Sequence, residues 1–384
     1  MSIATLHSRQ ENPYRFMAAY IHNIATVVPE RSYRQDFLRE QMKKYIGQRD
    51  ISRHIIHRIY AKSGIKKRHT VIDDFRANGD PRVFFQQDGS LSTPSTGKRN
   101  QLYIEKAKPL WVKTARKTIE ENPSVNKTDI THIITVSCTG FFAPEPGFEI
   151  IKELNLSSST ERFHLGFMGC FAAFPAMKMA QSFCAAQPDA NVLIVCLELC
   201  TLHLQNSEAT DHLISASVFA DGAAGLIVSA RQPVKRALKL EHFSTTIAEE
   251  TEEDMAWTIG DTGFEMVLSS YVPDLIKSNL SDAIQPLLEA YHISLADINR
   301  WAVHPGGRAI LDKVHQSCNL QPEQLAASRK VLANYGNMSS ATILFVLKEL
   351  LDSTEENNKT TTLALAFGPG LTIESALLTT TDPA

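Results

Sequence analysis

Two stretches decide the fold: Asp129-Ile-Thr-His-Ile-Ile-Thr-Val-Ser-Cys-Thr-Gly140 and Asp297-Ile-Asn-Arg-Trp-Ala-Val-His-Pro-Gly-Gly307. Each is a short apolar run that ends in a turn of small residues, the pattern of a buried strand. A helical stretch precedes each one, from about Tyr103 in the first case and from about Val272 to Tyr291 in the second. A glycine then opens an apolar helix, at Gly169-Cys170 and at Gly336-Asn337. The second of these helices runs from Met338 to Leu351, and strands at Asn191–Glu198 and Thr362–Phe367 complete the two units. Asp129 to Gly169 is 40 residues and Asp297 to Gly336 is 39. A unit of helix, strand, glycine turn, helix and strand therefore occurs twice, which predicts an α/β fold of two pseudo-symmetric halves, 16–232 and 233–384.

The repeat puts Cys170 and Asn337 at equivalent places, and His304 at the end of the second half's first strand. Strand ends and helix N-termini converge at the midline of such sheets, so these three side chains are expected to meet. Around the cysteine, Ala173, Met177, Ala180 and Cys184 recur at helical spacing. Cys170 thus sits at or near a helix N-terminus, where peptide dipoles and free N–H groups favour a thiolate. Pro175 is slightly deep for a first turn, so the helix starts one or two residues late or bends there. Taken singly, each residue has a plainer reading: a buried small hydrophobe, a structural strand-end histidine, a helix N-cap. None of these explains why all three fall at matched repeat positions.

The chemistry suits the trio. A thiolate exchanges thioesters at little energetic cost. A histidine can hold it as an ion pair and later donate to a developing oxyanion, while an asparagine amide donates without titrating. Papain-like proteases also use Cys, His and Asn, the asparagine orienting the histidine. Here Asn337 fits better beside His304 in an oxyanion hole for an enolate.

Composition sets the bounds. The 384 residues are 43% hydrophobic and 21% charged with a net charge of −3, so no general attraction to nucleic acid or membrane is expected. No apolar run approaches the roughly 20 residues of a membrane span, and Met1–Arg15 is polar without a signal-peptide core, so the cytoplasm is the expected compartment. The six cysteines form no zinc pattern, so reduced thiols and no metal are expected. Residues 16–30 read as an opening strand, a charged helical stretch runs to about Ile59, and residues 77–100 read as a loop. The Lys/Arg cluster between Arg58 and Arg68 is either a solvated face or a holder of phosphate.

Four motifs carry a family resemblance: Val303-His304-Pro305-Gly306-Gly307, Tyr335-Gly336-Asn337-Met338-Ser339-Ser340, Ala366-Phe367-Gly368-Pro369-Gly370-Leu371 and Val218-Phe219-Ala220-Asp221-Gly222-Ala223-Ala224. Together they resemble the type III polyketide synthases of the chalcone synthase superfamily, over roughly residues 20–380. The resemblance implies a duplicated thiolase fold of αβαβα layers and a homodimer. It implies a Cys170-bound acyl starter taken from an acyl-CoA and extended by decarboxylative condensation with malonyl-CoA, with His304 and Asn337 stabilising the enolate. The product would be a pyrone, resorcinol or phloroglucinol, with no cofactor beyond the coenzyme A thioesters.

By the same resemblance Phe219 and Phe264 are gate residues, and His203, Thr139, Ser215 and Ser339 line the cavity. Gly368, Pro369 and Gly370 form a cavity loop; Arg58, Lys62 and Ala309 lie on the coenzyme A side, with Ile55 at a third, normally basic position. Plant chalcone synthases differ in carrying a small hydroxyl residue at His203, glycine at Ser215, methionine at Ala143 and Gln-Gly at Met168-Gly169. Gly166-Phe-Met-Gly-Cys-Phe-Ala-Ala-Phe174 and Ser137-Cys-Thr-Gly-Phe141 look more like bacterial members. Two other readings stay open: a ketoacyl synthase III-like enzyme making a single condensation, and a non-catalytic thiolase-fold subunit that binds acyl-CoA.

Overall fold

The computed structural model describes residues 18–76, 82–249, 251–269, 271–353 and 359–383. The polar segment Met1–Arg15, the first two residues of the expected opening strand, and residues 77–81 of the expected loop lie outside the described residues. The first half runs β1 (Ala19–Val27), β2 (Ser32–Arg34), α1 (Gln35–Tyr45), α2 (Asp50–Lys62), β3 (Lys67–His69) and α3 (Thr96–Glu120). It continues with β4 (His132–Ser137), α4 (Pro146–Leu154), β5 (Glu161–Gly166), α5 (Ala173–Ala186), β6 (Asn191–Leu199), α6 (Thr210–Val218) and β7 (Asp221–Ser229). The second half has β8 (Ala237–Ile247), the hairpin β9 (Met255–Gly260) and β10 (Gly263–Leu268), α7 (Val272–Ala290), β11 (Arg300–Val303) and α8 (Arg308–Ser317). It ends with α9 (Ala326–Tyr335), α10 (Thr342–Asp352), β12 (Thr361–Gly368) and β13 (Thr372–Thr381).

Nine strands form one sheet in the order β11-β12-β13-β8-β1-β7-β6-β4-β5. The duplication is visible in its strand directions. β7 is antiparallel to β6, which is parallel to β4; β13 is antiparallel to β12, which is parallel to β11. The halves join where β1 pairs with β8. Every residue of β4, β6 and β7 is buried, as expected of strands covered on both faces.

Three apolar cores account for the five layers of the expected thiolase-type αβαβα arrangement. The inner core joins Ala173, Met177 and Ala180 of α5 to Ile343, Leu344 and Leu347 of α10. One outer core holds Tyr103, Ala107 and Trp111 of α3 with Ile150 of α4. The other holds Ile276, Leu280 and Ile284 of α7 with Leu311 and Val314 of α8.

Local boundaries depart from expectation in three places. α3 starts at Thr96, inside the expected loop, where the Ser95 side chain accepts from the Lys98 N–H as an N-cap. Its first turns, Thr96 to Gln101, hold no apolar residue, so they show no hydrophobic period. α5 starts at Ala173, after a short 3₁₀ turn at Gly169–Phe171 that contains Cys170. Asn337 likewise precedes a 3₁₀ turn, Ser339–Ala341, and α10 begins only at Thr342.

Candidate active site

The three residues arrive from three local devices. His304 follows β11 directly, and its N–H donates to the Leu365 carbonyl of β12 at 2.8 Å, which fixes it at the strand end. Asn337 is bridged to Phe219: its N–H donates to the Val218 carbonyl and its carbonyl accepts from the Ala220 N–H, both at 2.8 Å. Cys170 stands in the turn made possible by Gly169, whose φ is +78°. A Cβ at Gly169 would overlap the Pro369 ring, so the cavity loop packs directly on the cysteine turn.

Cys170, His304 and Asn337 then line one chamber, with Phe219, Thr139, Ser339 and Pro369 among the other walls and an empty volume of about 660 Å³. The Asn337 amide is locked: Oδ1 accepts from the Ser339 N–H at 2.8 Å and Nδ2 donates to the Gly306 carbonyl at 3.3 Å. Its Nδ2 lies 3.9 Å from the Cys170 sulfur. Both ring nitrogens of His304 are buried without a hydrogen-bond partner, an arrangement that leaves them free for a reacting group.

Enclosure bears on the charge state of the site. Burial pushes the Cys170 thiol up to about 11, against the opposing hydrogen bonds from Ser339 and Asn337. Burial also holds His304 down, to about 3. Each shift opposes the charged form of its own group, against the direction of the helix dipole. The regular helix begins three residues past the sulfur, so its dipole reaches the thiol only across the 3₁₀ turn.

Beneath the cysteine lies a group that sequence reasoning passed over. Glu198, at the end of β6, is fully buried. One oxygen accepts from Ser340 Oγ at 2.5 Å; the other accepts from the Cys138 N–H and Thr139 Oγ1, both at 2.9 Å. Burial pushes its carboxyl up to about 7 despite these bonds. A lone acid inside the apolar run Asn191–Leu199 was the available signal.

Next to the cysteine chamber is a second one of about 870 Å³, lined by Phe219, Phe264, His203 and Ser215. The two share the walls Cys200, Phe219, Trp257 and Met266. The partition is rigid. His203 Nε2 donates to the Thr139 carbonyl at 2.8 Å, its Nδ1 accepts from the Phe264 N–H at 3.0 Å, and its ring stacks on Phe264 at 4.1 Å. Trp257 Nε1 donates to the Cys138 carbonyl at 2.8 Å beside them. Neither Trp257 nor Met266 was singled out from the sequence.

The remaining candidates sit apart from these chambers. Arg58 and Lys62 are exposed on α2, and Ala309 is exposed in the first turn of α8. The two helices meet where Gly64 faces the Arg308 side chain. Gly368 packs against Phe171, and the Gly370 N–H donates to the Met255 carbonyl at 2.9 Å, so of the cavity loop only Pro369 reaches a chamber wall.

Comparison with known proteins agrees with this geometry. Residues 8–232 match the family model of chalcone and stilbene synthases, N-terminal domain, and residues 239–381 match the C-terminal domain. The alpha-pyrone synthesis polyketide synthase-like protein of Mycobacterium tuberculosis is 30% identical over 94% of this chain and 90% of its own length. The crystal structure of PKS-I from the brown alga Ectocarpus siliculosus superposes with a TM-score of 0.87 at 29% identity, covering 97% of this chain and all of that one. The 1,3,6,8-tetrahydroxynaphthalene synthase of Streptomyces coelicolor, a bacterial type III polyketide synthase, superposes with a TM-score of 0.81 at 27% identity, covering 94% and 98%. The fold and the matched halves define a thiolase-fold condensing enzyme. The chain belongs to the chalcone and stilbene synthase family.

Proposed function

We infer that the chain is a type III polyketide synthase, an acyltransferase that extends a Cys170-bound acyl group by decarboxylative Claisen condensation with malonyl-CoA. The observation that carries the roles of its residues is the enclosure of Cys170, His304 and Asn337 in one chamber, delivered by both halves of the duplication. In the loading step His304 holds the thiol proton as the Cys170 sulfur attacks the acyl-CoA carbonyl carbon. The C–S bond to coenzyme A breaks, and the proton returns to the departing thiol. Malonyl-CoA then loses carbon dioxide, and the enolate oxygen accepts hydrogen bonds from His304 and from the locked Asn337 amide. The enolate carbon attacks the Cys170 thioester, a C–C bond forms, and the Cys170–acyl bond breaks. Repetition gives a poly-β-keto chain that cyclises to a pyrone, resorcinol or phloroglucinol.

Arg58 and Lys62 would hold the phosphates of coenzyme A outside the chamber, near the meeting of α2 and α8, and Phe219 would gate the passage. Acyl-CoA and malonyl-CoA supply the acyl groups, and the family needs no cofactor beyond them. The protein works as a homodimer in this reading, supported by β5, which is an edge strand of the sheet, and by the exposed Phe148 on the adjoining α4. Among the described residues no helix is long and apolar enough to cross a membrane, and the six free cysteines suit the reducing cytoplasm.

Mass spectrometry after incubation with malonyl-CoA and a panel of acyl-CoA starters tests the reading. A cyclised, multiply extended product is expected. A single β-keto product would favour one-step condensation. Cys170→Ala should lose covalent acylation yet keep part of the malonyl decarboxylation, and Asn337→Ala should impair decarboxylation. Full-length product from Cys170→Ala would overturn the mechanism.

A further inference from the structure

The second chamber takes no part in the bond-making above, and its walls are mostly apolar, with Leu38 and Met42 of α1 and the rings of Phe75 and Phe85 among them. Two polar atoms interrupt them. Ser215 Oγ and His212 Nδ1 are both enclosed and neither has a hydrogen-bond partner. Buried polar atoms are seldom left so unless a ligand or water occupies the site.

The two stand three residues apart on α6, in one stripe with Ala216 and Phe219, all lining this chamber. Side chains at that spacing share a face with Cβ atoms about 5–6 Å apart. A single oxygen between them is within reach of both. A hydroxyl matches the pair in either imidazole tautomer, since it can accept from one and donate to the other; a carbonyl or carboxylate oxygen fits only where Nδ1 carries the proton, and an alkyl group satisfies neither.

Most of the chamber's other polar groups are committed. Arg68 is held by Gln35 and by the Phe219 carbonyl, Thr70 by Thr201, and Tyr60 by the Ala216 carbonyl. Both His203 nitrogens are bonded, and Gln205 donates to the Thr262 and Phe264 carbonyls. His69, another wall of this chamber, stacks its ring on Tyr335, and its Nε2 is also unpaired.

We propose that this chamber receives the distal part of the starter acyl chain and that Ser215 and His212 jointly bind a hydroxyl group on it, making a hydroxylated aliphatic acyl-CoA the preferred starter class. The walls shared with the cysteine chamber give the route: a chain attached to Cys170 enters by passing Phe219. The assignment rests on Cys170 being the acyl acceptor.

The test is the rate of Cys170 acylation, read by intact-protein mass spectrometry, with straight-chain acyl-CoAs from six to twelve carbons. Each is supplied as the parent and as its ω-hydroxy and (ω−1)-hydroxy forms. A site built to hydrogen-bond a hydroxyl rejects the analogue without it, so at one or more lengths a hydroxylated form should load about tenfold faster or more. That preference should fall toward unity in Ser215→Ala and in His212→Phe, each compared with its own parent-chain rate. Parent chains loading as fast at every length overturn the proposal and assign the two atoms to bound water, as does a preference unchanged in both folded variants. Absence of acylation by any starter is a different result, which removes the polyketide synthase mechanism itself.

Discussion

Replacing His203 tests whether the partition between the chambers is built as the geometry indicates. An Nδ1 that accepts from the Phe264 N–H and an Nε2 that donates to the Thr139 carbonyl are compatible only with the neutral ring carrying its proton on Nε2. His203→Ala leaves that N–H and that carbonyl buried without partners, at about 1–3 kcal/mol each. It also removes the stack on Phe264, about 0.5–1.5 kcal/mol. The expected loss is therefore about 2.5–7.5 kcal/mol, with starter use shifting to longer chains as the partition loosens. His203→Gln offers one donor and one acceptor and should recover part of both.

Acid gives a second reading of the same residue. Burial holds His203 down to about 3, below its unfolded value of 6.5. The unfolded chain takes up a proton below pH 6.5 that the native chain refuses, so stability is lost as pH falls from 6.5 toward 3. At pH 5 this amounts to about 2 kcal/mol. Urea unfolding of wild type, His203→Ala and His203→Gln at pH 7 and pH 5 measures both effects, and the glutamine variant should lose about 2 kcal/mol less than wild type over that interval. A His203→Ala protein as stable as wild type, with the same starter profile, would refute the reasoning. So would a His203→Gln protein with undiminished acid sensitivity.

Glu198 should act with the opposite sign. Its carboxyl is pushed up to about 7 from 4.5, so its contribution is present below pH 4.5 and lost as pH rises to 7. Relative to Glu198→Gln, wild type should lose about 3 kcal/mol between pH 4.5 and 8, and parallel stability curves for the two proteins would contradict the burial argument. With its thiol pushed up to about 11, Cys170 should be alkylated by iodoacetamide at a rate that climbs about tenfold per pH unit from 7 to 10. A plateau below pH 8, read on the Cys170 peptide, would instead reveal a charged pair with His304. Gly169→Ala places a Cβ against Pro369 at a left-handed φ, which alone costs roughly 1–2 kcal/mol, so stability and Cys170 acylation should both fall. Wild-type behaviour in both assays would show that the loop does not depend on that contact.

What was legible in the sequence was whatever repeats. The paired Asp-Ile strands and glycine turns carry enough period to place β4, β11, Cys170, His304 and Asn337, and their convergence follows from topology. Helix starts were less legible: Thr96 to Gln101 is helical through its Ser95 cap and tertiary seating, which leaves no apolar stripe to read. The enclosure of Cys170 was not legible, because a dipole is a local property and enclosure is not. Only the assembled chamber, with residues from β9, β10 and the turns after β4 and β11, removes water from the sulfur. Of the second chamber only the walls that the family resemblance supplied, His203, Ser215, Phe219 and Phe264, were legible; Leu38, Phe75 and Trp257 join them only through tertiary contacts. Arg58 and Lys62 were found as a basic cluster, but nothing in their spacing told how far from the thiol they would stand.

The position of β1 has a consequence for synthesis. It is the first of the nine sheet strands to be made, yet it lies in the interior of the sheet, hydrogen-bonded to β7 on one side and β8 on the other. At roughly 5–20 residues per second, about 10–40 s separate the emergence of Val27 from that of Leu240. Until β7 follows, near the end of that interval, the nascent chain carries an apolar strand with both edges open, and one edge stays open until β8. Slowing elongation between β1 and β8 should therefore lower the soluble yield of the enzyme, and a chaperone that shields open strand edges should restore it.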